Sequence, residues 1–134
     1  MAATSQTTGY VPGVCNINQS EIAYRRKAGY SGIAAYVLLL AGFFAFSFSP
    51  WLGAVLFLPA FIGAVGMLQA HYKFCVAYAA GGQQHALDDD LEAKAIVDAA
   101  SRKIDKQRAR KINTQSALIA IVATAAGITL LFIR

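Results

Sequence analysis

The chain has 134 residues, a formal charge of +5, 57% hydrophobic residues and only 14% charged residues. Soluble domains carry about 25% charged residues, and their helices need polar outer faces. No Lys, Arg, Asp or Glu occurs from Ala28 to Tyr72 or from Ile112 to Ile133. These features argue against a soluble domain and predict an all-α integral membrane protein with three transmembrane helices.

Residues 1–30 form a polar tail that ends in a helix leading to the membrane. Asn18 can cap this helix, with Glu21 three residues further on, and we expect the helix to run into the first span. The first 24 residues lack the basic start, apolar centre and small-residue cleavage site of a signal peptide. The first span is therefore expected to act as its own insertion signal.

Three apolar spans follow, at residues 31–48, 51–70 and 115–133. Each covers about 27–30 Å as a helix, close to the ~30 Å hydrocarbon core of a bilayer. The first two form a transmembrane hairpin (31–70), in which Ser49 is the expected N-cap and Pro50 the first residue of the second helix. Pro59 is expected to kink that helix, and residues 115–134 form the third transmembrane helix.

The cations indicate how the chain crosses the membrane. Eleven of the twelve Lys and Arg residues precede the first span or lie between the second and third spans, and only Arg134 lies on the other side. The positive-inside rule then places the N-terminus in the cytoplasm and the C-terminus outside. Because the basic residues flank apolar spans and match no nucleic-acid motif, we expect no nucleic-acid partner.

Residues 71–114 are predicted to form a cytoplasmic loop with an amphipathic helix. Asp88, Asp89 and Asp90 fall at the expected helix start, where negative charge complements the helix dipole. Five residues recur at helical spacing and form one narrow apolar face: Ala93, Ile96, Val97, Ala100 and Ile104. This face either lies on the N-terminal tail or the membrane surface, or it docks a partner protein.

Four residues are candidate metal ligands: Cys15, His71, Cys75 and His85. His71 and Cys75 are four residues apart and would share one face of a helix, and imidazole and thiolate groups bind zinc or copper. His71 alone could also ligate a haem or a chlorophyll. The alternative is a boundary histidine and two semi-buried cysteines without a ligand, and a Cys15–Cys75 disulfide is disfavoured in a reducing compartment. We predict no bound cofactor.

The spans contain no ionisable side chain other than tyrosine, which argues against transport through this chain alone. No nucleophile is accompanied by a base and an orienting group, so we predict no catalytic residue and no enzyme. Small residues at four-residue spacing let helices approach closely, within this protein or against another membrane subunit: Ala60, Ala64, Gly66, Ala70, Ala123 and Gly127.

The stretches VCNINQSEIAYRR before the first span and LQAHYKFC after the second resemble a family of small bacterial membrane proteins without an assigned function. The resemblance implies a protein of the bacterial inner (plasma) membrane and supplies no activity. From the residues we predict a non-catalytic accessory or structural subunit that docks on a larger membrane protein complex. The alternatives are a metal- or porphyrin-binding membrane protein and a homo-oligomer that forms a channel.

Overall fold

The protein folds mainly into helices, and its computed structural model describes residues 10–86 and 92–134. The elements follow in chain order: α1 (Gln19–Ala45), a 3₁₀ helix (Pro50–Leu56), α2 (Phe57–Tyr72), α3 (Val76–Ala80), β1 (Gln83–Gln84), β2 (Lys94–Ala95) and α4 (Ala99–Phe132). Three stretches are long and apolar enough to span a membrane: Gln19–Ala45, Pro50–Tyr72 and Ala99–Phe132. The predicted all-α fold with three transmembrane helices is confirmed.

The bundle has two chemically different ends. We call one the basic end, because the start of α1, the end of α2 and the first half of α4 bring nearly all Lys and Arg residues there. We call the other the hairpin end, where residues 46–49 join α1 to the 3₁₀ helix. At the hairpin end the Arg134 guanidinium donates to the carbonyl oxygen of Phe43, at 2.6 Å, and to that of Phe48. This contact ties the end of α4 to the end of α1.

The start of α1 agrees with the sequence prediction. The side chain of Asn18 accepts a hydrogen bond from the Glu21 backbone N–H at 2.9 Å, so Asn18 is the N-cap. The helix then continues without a break to Ala45. The expected entry from the tail helix into the first span is therefore confirmed.

The start of the second span differs from the prediction. Pro50 is the first helical residue as expected, but the Ser49 side chain makes no capping hydrogen bond. The chain forms a 3₁₀ helix first, and the α-helix begins only at Phe57. Because Pro59 has no N–H and its ring crowds the carbonyl of Val55, an α-helix would lose a hydrogen bond there. The expected kink thus takes the form of a change in helix type just before Pro59.

Helices α1 and α2 cross with their backbones in contact. A Cβ atom built on Gly32 would lie 2.7 Å from the Cα of Gly63 and 2.8 Å from the carbonyl oxygen of Pro59. A Cβ on Gly66 would lie 2.7 Å from the Cα of Gly29. Only glycine fits at these positions, because any side chain would push the two helices apart.

The small residues noted in the sequence have several roles. Gly66 belongs to the glycine crossing, and Ala60 and Ala70 are buried. A Cβ on Gly127 would lie 2.7 Å from Leu56, so α4 packs closely on the 3₁₀ helix there. Two further positions, Ala64 and Ala123, line a cavity between the helices.

Within the described residues, the helix of the predicted loop begins at Ala99. Asp98 is the N-cap of α4, and its carboxylate accepts from the Ser101 backbone N–H at 3.1 Å. From Ala99 the helix runs without interruption to Phe132, so the amphipathic loop helix and the third span are one helix. The expected start at Asp88, Asp89 and Asp90 lies outside the described residues.

The prediction that five apolar residues of this segment share one face of a helix is wrong. Ala93 and Ile96 precede the helix. Ile96 is buried, and its N–H donates to the carbonyl of Gly82 at 2.8 Å. Val97 also precedes the helix and is 90% exposed. Of the five residues only two lie on α4, Ala100 and Ile104. The N-cap at Asp98 interrupts the helical spacing on which the prediction rested.

Candidate functional site

The N-terminal tail is fixed to the basic end through Asn16, which is fully buried. Its side-chain amide donates to the carbonyl oxygen of Cys75 at 3.1 Å and accepts from the Cys75 N–H at 2.6 Å. Its backbone N–H donates to the carbonyl of Lys73 at 3.2 Å, and its carbonyl accepts from the His85 N–H at 2.7 Å. One residue thus joins the tail to the turn after α2 and to the segment after β1.

A second group of polar side chains lies around Glu21, and we call it the boundary cluster: Glu21, Arg25, Cys75, Tyr78 and His85. Glu21 pairs with Arg25 at 2.9 Å, accepts from the Tyr78 hydroxyl at 3.2 Å and lies 3.2 Å from Nδ1 of His85. Arg25 also donates to Sγ of Cys75 at 3.1 Å. The cluster ties α1 to α3 and to the segment that follows it.

The contacts of the boundary cluster hold segments of the chain together. Burial raises the pKa of Tyr78, and the negative charge of Glu21 raises it further, so the phenol stays protonated and donates at neutral pH. Cys75 is only 1% exposed, so a substrate has no access to its thiol in this conformation. Each polar group in the cluster contacts another member of it.

The tail makes a further polar contact with α4, which we call the tail clasp: Tyr10, Gly13 and Asp105. Asp105 is fully buried, and its carboxylate accepts from the Tyr10 hydroxyl and from the Gly13 N–H, both at 2.7 Å. Gly13 has a positive φ of 70°, and a Cβ there would lie 2.6 Å from the side chain of Ile104. A predicted docking residue therefore contacts the protein's own tail, which is one of the two alternatives left open by the sequence.

We expect Tyr10 to titrate at unusually high pH. Burial and the hydrogen bond to Asp105 raise its pKa well above the ordinary value of about 10. Because the folded pKa exceeds the unfolded one, the contact stabilises the tail fully below the unfolded value, and this stabilisation is lost as the pH rises through the folded pKa. Phenolate absorbance measured at about pH 11 should be the same in the wild type and in Tyr10→Phe.

The Asp105→Ala variant provides the control for this titration. It should gain up to one phenolate at the same pH, because Tyr10 loses its acceptor and its charged neighbour, and a tail released from α4 also exposes the phenol to water. If the wild type shows one phenolate more than Tyr10→Phe at about pH 11, Tyr10 ionises at an ordinary pH. That result would contradict the tail clasp.

The predicted metal ligands do not share a helix face. The α2 helix ends at Tyr72, Lys73 follows in the left-handed conformation with φ 56°, and Cys75 precedes α3. His71 is exposed, whereas Cys75 is buried against Arg25. Among the described residues, no three or more His, Cys, Asp or Glu side chains are grouped to hold a metal ion.

The remaining two candidate ligands also have other contacts. Cys15 is partly buried and donates its thiol to the carbonyl of Ile17 at 3.4 Å. His85 belongs to the boundary cluster, where its ring lies edge-on to Tyr78 at a centroid distance of 6.2 Å. The four-residue spacing of His71 and Cys75, which suggested a metal site, therefore joins an exposed residue at the end of α2 to a buried residue before α3.

Comparisons with protein-family models, with curated proteins and with solved structures find no match. The family resemblance of the tail and of the stretch after the second span therefore stays a prediction. The function must be inferred from the surfaces of this chain itself.

One surface at the basic end is strongly charged. Lys103, Lys106 and Arg110 are exposed on α4 at helical spacing, and we call them the basic stripe. With Arg102 and Gln107 they border a shallow depression of about 420 Å³. Within residues 10–86 and 92–134, no member of the stripe forms an ion pair. The stripe is therefore available to a negatively charged partner.

Sequence reasoning missed most of the residues that organise the basic end. Asn16 and Tyr78 had no distinguishing pattern, since their roles depend on contacts with residues far along the chain. Asp105 carried a signal, because it is the only carboxylate between Asp98 and the third span in a stretch rich in Lys and Arg. A lone acid of this kind is costly to bury unless hydrogen bonds satisfy it.

Proposed function

We propose that this protein is a non-catalytic accessory subunit of a larger membrane complex, located in the bacterial inner membrane with the basic end in the cytoplasm. The observation that carries the proposal is the basic stripe, which is exposed on α4 at the basic end of the bundle. The positive-inside rule supports this orientation. The partner surface would be acidic.

The continuity of α4 supports a docking role. From Ala99 to Lys111 the helix extends about 20 Å before the charge-free span begins. The stripe therefore lies on the part of the helix that precedes the charge-free span, within reach of a neighbouring protein. Because α4 is one helix, the stripe has a fixed position relative to the membrane-spanning part.

The fixed tail supports docking for an energetic reason. Ordering a flexible surface upon binding costs about 0.5–1.5 kcal/mol for each immobilised side chain. The tail clasp and the bonds of Asn16 already order residues 10–18 in the free protein. A partner that binds the basic end meets this ordered surface and avoids that cost.

The two alternatives from the sequence have less support. The stripe gives no support to a homo-oligomer that forms a channel, because a symmetric contact between copies through the stripe would place like charges face to face. Metal or porphyrin binding loses its strongest argument, because His71 and Cys75 do not lie on one helix face.

The stripe is tested by neutralising it in the protein purified in mild detergent from its native membrane. The wild type should elute in an assembly larger than its own 14.3 kDa plus the micelle, and this assembly should dissociate as salt is raised. The double variant Lys106→Gln/Arg110→Gln should bind the partner with about tenfold lower affinity.

The matched control is Lys27→Gln/Lys111→Gln, which removes the same charge from exposed positions outside the stripe. This variant should keep the assembly. The proposal is wrong if the wild type elutes alone and monomeric at native expression, or if the control variant dissociates as readily as the stripe variant.

A further inference from the structure

An apolar cavity of about 310 Å³ lies within the membrane-spanning part of the bundle. Its walls come from three helices, with Ile33 and Tyr36 on α1, Ala64 and Leu68 on α2, and Ile119 on α4. The volume falls within the range of ordinary ligand pockets, about 300–1,000 Å³. Ile33 and Ile119 in its wall are 47% and 49% exposed, so the cavity reaches the surface of the bundle that faces lipid.

The cavity exists because α1 and α4 are joined near the hairpin end. The Tyr36 hydroxyl donates to the carbonyl oxygen of Ala123 at 2.6 Å, and Arg134 binds the end of α1. Toward the basic end, the small side chain of Ala64 leaves the surface of α2 uncovered between the two helices. The result is a cleft that is closed at the hairpin end and open toward the basic end.

Polar groups without partners lie at the open end of this cleft. Tyr72 is one helical turn beyond Leu68 on the same face of α2, and the Arg108 guanidinium stacks 4.3 Å above its ring. The Nε atom of Arg108 is buried and has no hydrogen-bond partner within the described part of the chain. The same holds for Oε1 of Gln115, which lies one turn before Ile119 on α4.

We propose that this cleft binds one anionic phospholipid, with an acyl chain in the apolar cavity and the phosphate at Arg108. A guanidinium forms strong charge-assisted hydrogen bonds with phosphate oxygens, and the Arg108 side chain is only partly buried, so a headgroup can reach its accessible part. The polar linkage between phosphate and chains then lies at the depth of Gln115. Arg26, exposed on α1 two turns before Ile33, adds positive charge on the opposite side of the opening.

An acyl chain fits the cavity better than water or a polar ligand does. The lining is almost entirely apolar, and the Tyr36 hydroxyl is already engaged with Ala123. Water in such a cavity needs two to four polar partners, which the lining does not offer. Because the opening faces lipid, the occupant that reaches it is a membrane lipid, and the cation at the mouth favours an anionic one.

Native mass spectrometry of the whole protein from detergent micelles tests the proposal. Phosphatidylglycerol and phosphatidylcholine with identical chains are added separately, and the share of protein that carries one lipid is measured. We expect phosphatidylglycerol to be retained at least about tenfold more strongly than phosphatidylcholine. Arg108→Gln should remove most of this difference.

Two further variants make the result specific. Ala64→Leu fills the cavity and should lower the retention of phosphatidylglycerol, and Arg110→Gln removes a charge from the basic stripe and should leave it unchanged. The proposal is overturned if both lipids bind equally to the wild type, if Arg110→Gln weakens binding as much as Arg108→Gln, or if Ala64→Leu has no effect. Where circular dichroism shows that Arg108→Gln does not fold, the Ala64→Leu result decides.

Discussion

Replacing Gly32 with alanine should lower the free energy of unfolding by about 2 kcal/mol. The added methyl group would collide with the backbone of Gly63 and with the carbonyl of Pro59. Overpacking of this kind costs up to about 3 kcal/mol, and the better helix propensity of alanine offsets about 1 kcal/mol. Unfolding by sodium dodecyl sulfate in mixed micelles, followed by circular dichroism, measures the difference.

Gly42 provides the matched control on the same helix. A Cβ at this position meets nothing within 4 Å, so Gly42→Ala should leave the stability unchanged or raise it by up to about 1 kcal/mol. An equal loss in both variants would mean that the cost comes from glycine replacement in general. It would then not come from the contact between α1 and α2.

Replacing Asn16 with alanine should destabilise the basic end by about 3 kcal/mol. The change leaves the buried N–H of Cys75 without a partner, which costs about 1–3 kcal/mol. It also removes one of the two hydrogen bonds to the Cys75 carbonyl, which keeps only the Ala79 N–H, and that loss costs about 0.5–1.5 kcal/mol. The tail should then be cleaved faster by a protease added to the folded protein. The same micelle unfolding experiment gives the loss in free energy.

Asn113→Ala is the control for this prediction, because Asn113 is exposed on α4. The substitution should change stability by less than about 0.5 kcal/mol. If Asn16→Ala also remained within this range and its tail resisted proteolysis, the proposed role of Asn16 would be contradicted.

The transmembrane part of the fold could be predicted well from the sequence. Length and hydropathy decide whether a helix spans a bilayer, and both are properties of a local stretch. The N-cap at Asn18 was also predictable, because the residues that form a cap are close in sequence. The glycine crossing carried a local signal too, since Gly29 and Gly32 share a spacing of three with Gly63 and Gly66, but the prediction of close helix packing rested on a spacing of four.

The basic end could not be predicted in the same way. Asn16 and Cys75 are 59 positions apart, and Tyr10 and Asp105 are 95 positions apart. Such contacts depend on how the helices bring distant segments together, which one sequence does not reveal. The error in the loop helix had a local cause, because the apolar residues from Ala93 to Ile104 keep a helical spacing although the N-cap at Asp98 falls among them.

The continuity of α4 has a mechanical consequence. A straight helix transmits a push or a twist along its length, because its hydrogen bonds run from one turn to the next. A force applied at Arg110 would therefore move Ile119 and Ala123 with it, and no joint between them would absorb the motion. A partner bound at the basic stripe would therefore be coupled through α4 to the position of Ile119 and Ala123 in the cavity wall.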